Sequence, residues 1–179
     1  MDYGFSPGFW HRLPFKMFTP LLFLSYDSDL AISGIQPFTF YVHQLVACSG
    51  AVLSLFLVLR RWFSTLPSAT GAFLFAAGIP FATWAQQLML RHYIEGFGLA
   101  AVSVWFFVDS MRGRRAGLAQ HLSAVFYLLA MLAKEVYVPL PGLLLLLPEG
   151  RLIPRARRLR PHAVAMLVNH GASRAVLYS

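Results

Sequence analysis

Seven residues of this 179-residue chain have types and groupings that could do chemistry: Asp27, Asp29, Arg91, His92, Glu95, Lys134 and Glu135. A carboxylate such as Asp27 or Asp29 can take a proton from an acceptor hydroxyl or hold a divalent cation. Arg91 and Lys134 supply fixed positive charge and hydrogen-bond donors suited to a phosphate, with Glu135 beside Lys134 to orient it. His92 and Glu95 complete a polar set fit for a phosphate-bearing substrate. Each of these residues also has a plainer reading. A charge at a helix end is commonly a solvated anchor. Arg91 and Glu95, four residues apart, could form an intrahelical pair worth a few tenths of a kcal/mol. His43 and His121, on apolar segments, read as hydrogen-bond partners of neighbouring helices.

What lifts the seven above that reading is the set of elements that carries them. The chain is 58% hydrophobic and only 12% charged, a composition that points to a polytopic α-helical membrane protein. The expected fold is all-α: a transmembrane bundle of about five spans (residues 38–179) behind an N-terminal interfacial loop (residues 1–37). In that loop Phe18 to Ser25 is apolar but too short to cross. Spans are expected over Phe38 to Leu59, Ala69 to Leu90 with a kink at Pro80, Ile94 to Met111, Leu118 to Ala133 and Glu135 to Leu147. Lys134-Glu135 sits at the turn between the last two. The formal net charge of +8 comes from short basic clusters between apolar segments, which is the pattern of cytoplasmic loops and not of a nucleic-acid surface. Cys48 stands alone in an apolar run, so neither a disulfide framework nor a thiolate metal site is expected.

The clusters Arg60-Arg61, Arg112 to Arg115 and Arg151 to Arg160 follow the first, third and fifth expected spans. Alternating crossings put all three on one side, which the positive-inside rule makes cytoplasmic. The seven polar residues then converge on the opposite face. The expected setting is a multi-pass integral membrane protein, such as one of a bacterial inner membrane, with membrane lipid around it.

The stretch PFKMFTPLLFLSYDSDLAISGIQPFTFYVHQLVACSGAVLSLFLVLRRW, with Thr19-Pro20-Leu21, then Gly34-Ile35-Gln36-Pro37-Phe38, then His43, resembles membrane glycosyltransferases of the GT-C fold, protein O-mannosyltransferase-like branch. The stretch from Ala130 to Gly150, with Leu132, Lys134, Glu135 and Pro141, is similar to the L-x-K-E-x-x-x-x-L-P stretch of the same proteins. The resemblance implies transfer of a sugar, with inversion, from a polyprenyl-phosphate donor to an acceptor at the periplasmic or lumenal face. Lys134 and Arg91 would contact the donor phosphate, and Asp27 or Asp29 would serve as base or as ligand of a divalent metal ion. The chain departs from the pattern in lacking the N-terminal helix and its acidic loop motif, Asp2 being the only acidic residue before Asp27. The C-terminal spans of those proteins are absent too, so a truncated form, or a second chain completing the bundle, is expected. The alternative from a different class is a small non-enzymatic membrane subunit whose polar turns bind a partner protein or a lipid headgroup.

Overall fold

The computed structural model describes residues 18–178 apart from residue 114. Residues 1–17, the first half of the expected interfacial loop, and Arg114 of the second basic cluster lie outside the described residues. The rest is helical and without strands: α1 (Pro20–Ser33), α2 (Pro37–Leu59), α3 (Thr65–Ala76), α4 (Ile79–Gln86), α5 (Arg91–Met111), α6 (Ala116–Ala133), α7 (Leu140–Leu145), α8 (Leu152–Arg158) and α9 (Arg160–Tyr178). Single 3₁₀ turns, Leu88–Leu90 and Glu135–Tyr137, lead into α5 and out of α6. The all-α expectation holds.

Prolines decide where helices begin. Pro20 and Pro37 occupy the first turns of α1 and α2, where the missing N–H would have had no intrahelical partner. Between those helices Gly34 takes a left-handed φ of 62° and donates its N–H to Leu30 O at 2.9 Å, closing α1. Asp27 and Asp29 therefore sit on a 14-residue helix and not in an open loop.

Three segments are long and apolar enough to cross a membrane: Pro37–Leu59, Leu88–Met111 and Ala116–Ala133. A fourth is added if α3 and α4, bent by 59° at their junction, count as one. The expected count of about five is thus corrected to three or four. Pro80 falls in the first turn of a new helix, so the second span is broken at Gly78 and not merely kinked. Pro139 and Pro141 divide the fifth into a 3₁₀ turn and the six residues of α7, about 9 Å of helix where about 30 Å is needed.

The bundle still has two distinct ends. At one, Arg61 pairs with Asp109 at 2.8 Å, and Arg112 pairs with Glu149 at 2.7 Å. There Arg112 also donates to Arg61 O, and the Trp62 indole N–H donates to Glu149. At the other end Gln44 donates to Trp84 O at 2.6 Å, and the Tyr137 hydroxyl donates to Tyr93 O at 2.6 Å. Among the described residues the stretches 65–86 and 135–149 also run from one of these ends to the other, although neither is a single helix.

The core forms where α5 and α6 pack side by side, through Ala100, Phe107, Tyr127, Ala130 and Met131, with Leu144 and Leu159 closing over them. Small residues let these backbones approach. Ser103 Oγ donates to Ser123 O, and Ser123 Oγ donates to Ser103 O, both at 2.8 Å. With its hydrogen so committed, Ser123 Oγ accepts from His162 Nε2 at 2.9 Å, tying α9 to the pair. Gly96 is required for another close approach: a Cβ there would lie 2.3 Å from Cε2 of Tyr137, whose ring is pinned through its hydroxyl. Gly96→Ala should therefore destabilise the detergent-solubilised protein by about 1–3 kcal/mol, the usual range for overpacking, read as a lowered thermal midpoint.

Candidate functional site: a buried arginine beneath an apolar groove

Arg91 begins α5 and is fully buried. Its guanidinium pairs with Asp29 Oδ2 of α1. Nε donates to Gln44 Oε1 at 3.2 Å, Nη2 to Phe40 O at 2.8 Å and Nη1 to Ser25 Oγ at 3.3 Å. The Tyr26 ring lies 4.9 Å from the guanidinium carbon. Burial pushes the Tyr26 hydroxyl above its usual pKa, against the opposing pull of Arg91, and the hydroxyl donates to Leu88 O at 2.5 Å. A charge removed from water on this scale is tolerable only with a partner and with its remaining N–H groups satisfied. Here α1 and α2 supply both.

His43, nearly two turns into α2, brings the cluster to the surface. Its Nδ1 lies 2.6 Å from Asp29 Oδ1, and its side chain is 34% exposed. With Nδ1–H donating to the carboxylate, the free lone pair is at Nε2, 3.6 Å from Glu95 Oε1. Glu95 Oε1 accepts from Ser25 Oγ at 2.6 Å, while Oε2 is buried with no partner. These groups line one part of a groove of about 490 Å³ between α1, α2 and α5. Apart from Ser28 and Ser54 its other walls are apolar, including Leu21, Leu24, Val46, Leu99 and Val102.

Among the described residues no three His, Cys, Asp or Glu side chains are gathered to hold a metal ion. Both Asp29 oxygens already accept hydrogen bonds, so this donor set fits a proton relay better than a metal centre. No family model, curated protein or solved structure matches this chain. Its chemistry has to be read from the side chains themselves.

The seven residues singled out from the sequence divide into two groups and one outlier. Asp29, Arg91 and Glu95 belong to the cluster just described. His92, Lys134 and Glu135 lie at the same end but on the flank of α5 that faces α6. There Lys134 Nζ pairs with Glu135 at 3.0 Å and sits 5.5 Å from the Tyr93 ring centre, and the His92 and Tyr93 rings are 4.4 Å apart. Asp27 joins neither group. Ser25 and Asp29, four residues apart, share one face of α1, and Asp27 points away from it, half-buried and outside every ion pair among the described residues. The local Arg91–Glu95 pair does not form, because Asp29 takes the guanidinium and Ser25 the carboxylate. Ser25 and Gln44 are not among the residues singled out, and His43, expected as a hydrogen-bond partner of a neighbouring helix, is one, through Asp29 of α1. The available signals were the Ser25–Asp29 spacing and two adjacent polar residues, His43-Gln44, in an otherwise apolar helix.

Arg91→Met should destabilise the protein by about 3–5 kcal/mol, because it leaves Asp29 buried without its counter-charge. The double variant Arg91→Met with Asp29→Leu should recover much of that loss, measured by thermal unfolding in detergent.

Proposed function

We propose that this chain is a multi-pass membrane enzyme that moves a sugar from a polyprenyl-phosphate donor to an acceptor hydroxyl, at the end of the bundle that carries Arg91 and Lys134. The observation that carries the proposal is His43: held by Asp29, faced by Glu95, and set at the polar margin of a groove lined mostly with hydrocarbon. Such a groove suits a substrate borne on a lipid chain. In this reading the basic end is cytoplasmic and the His43 end periplasmic or lumenal, in keeping with the positive-inside rule.

The base role expected of Asp27 or Asp29 passes to His43. Asp29 is enclosed and ion-paired, and its part is to fix the imidazole tautomer and orientation. The acceptor hydroxyl gives its proton to His43 Nε2 as its oxygen bonds the anomeric carbon. The bond from that carbon to the phosphate oxygen breaks on the opposite face, and polyprenyl phosphate leaves with the electron pair. Glu95, beside Nε2, stabilises the imidazolium as it forms. Arg91 is a positioning residue, since its enclosed guanidinium is matched by Asp29. Neither cation expected at the phosphate lines the groove: Lys134, buried and paired with Glu135, lies on the other flank of α5. The non-enzymatic membrane subunit draws on the same interlock around Arg91, which would staple α1 to α2 and α5 whether or not chemistry follows.

Transfer from a radiolabelled polyprenyl-phosphate sugar, assayed in membranes expressing the full chain, separates the two. Turnover that falls on the order of 10²–10⁴-fold in His43→Ala, with normal accumulation of the variant, is the expected result for loss of a general base. Absence of turnover above that of membranes lacking the chain would favour the subunit, and turnover indifferent to His43→Ala would remove His43 as the base.

A further inference from the structure

The basic end carries a second surface that the transfer reaction does not use. Helix α8 and its flanks read Arg151-Leu152-Ile153-Pro154-Arg155-Ala156-Arg157-Arg158-Leu159-Arg160. Its arginines divide by direction. Arg155 turns inward and donates to Leu145 O and Leu147 O, fastening α8 beneath the end of α7. Arg158 donates to Gln120 of α6 at 3.1 Å. Arg151, Arg157 and Arg160 are exposed and form no ion pair among the described residues. The two carboxylates described at this end are already paired, Asp109 with Arg61 and Glu149 with Arg112.

Beside these three charges stand Leu152, 58% exposed, and Ile153, 68% exposed. With Ala156, Arg157 and Arg160 they line a shallow cavity of about 360 Å³. Apolar side chains next to unmatched guanidinium groups are poorly placed in water. They are well placed where acyl chains meet phosphates, the apolar part entering the boundary and the arginines extending to the headgroups. The level in the bundle agrees: α8 follows directly on Glu149, where Arg112 at the end of α5 and Trp62 just past α2 meet. Those are the ends of two spans long enough to cross.

We infer that α8 is an interfacial ledge that binds the headgroup of an anionic phospholipid, its phosphodiester held by Arg151, Arg157 and Arg160 and an upper acyl segment lying against Leu152 and Ile153. Guanidinium forks suit a phosphate, and an anionic surface strengthens the attraction of each cation.

The test is lipid selectivity of the full chain reconstituted in phosphatidylcholine bilayers, with trace spin-labelled phosphatidylglycerol or phosphatidylcholine, reading the motionally restricted fraction. Phosphatidylglycerol should be preferred at low salt, and the preference should fall as sodium chloride is added. The variant R151Q/R157Q/R160Q should lower relative affinity for phosphatidylglycerol at least about fivefold, the share of a single cation near such a surface. R151K/R157K/R160K, which keeps the charge, should retain the preference. Equal association of the two lipids, or a preference unchanged by the glutamine variant, would overturn the inference. So would a preference lost equally in the lysine variant. Displacement by inorganic phosphate beyond that by chloride at equal ionic strength would assign the surface to a soluble phosphate instead.

Discussion

Burying the Arg91 guanidinium is the constraint on which the polar end of this bundle depends. An unmatched cation in that position would be untenable, and its needs reach into three helices at once. Asp29 must come from α1, the Gln44 amide and Phe40 carbonyl from α2, and the arginine itself opens α5. Once these are in place the course of α1 is set, because Asp29 can meet Arg91 only if α1 lies across the start of α2 and α5. His43 follows as a consequence. The carboxylate that neutralises Arg91 with one oxygen holds the imidazole with the other.

Proline and glycine impose a second constraint, on continuity. Among the described residues that run between the two ends, α2, α5 and α6 are unbroken helices, and two further stretches are not. The passage through α3 and α4 bends at Gly78, and that from Lys134 to Glu149 is a 3₁₀ turn, a short helix and connecting turns. The second of these is held by side chains rather than by a continuous ladder of its own. Tyr127 donates to Val138 O, Tyr137 to Tyr93 O, and Arg155 closes over the carbonyls at the end of α7. Irregular backbone at membrane depth is tolerated where protein groups supply such partners.

This division marks what was legible in the sequence. The first span was readable almost to the residue, Phe38 to Leu59 against Pro37–Leu59, because continuous hydropathy bounded by proline and a pair of arginines leaves one solution. The second and fifth were not, since hydropathy does not report whether a proline kinks a helix or starts a new one. At the site, the sequence placed Asp29, Arg91, Glu95, Lys134 and Glu135 at a common end. It could not show that α5 separates them into two groups, which depends on how that helix is rotated. Nor could it pair Asp29 with Arg91, 62 residues apart, over the nearer Glu95. The choice turns on tertiary docking of α1. His43 could be read as a hydrogen-bond partner but not matched to Asp29, because that carboxylate belongs to another helix.

The unbroken helices are unequal. With 23 residues α2 is about 35 Å long, whereas α6, with 18, is about 27 Å. Upright in the same hydrocarbon slab of about 30 Å, the first overshoots and the second falls short. The longer one leans, or the bilayer thickens beside it and thins beside its shorter neighbour. Because α2 carries His43 near one end and meets the arginine network at the other, its tilt links bilayer thickness to the position of the imidazole over the groove. The depth of the surrounding membrane thus becomes a physical variable of the site.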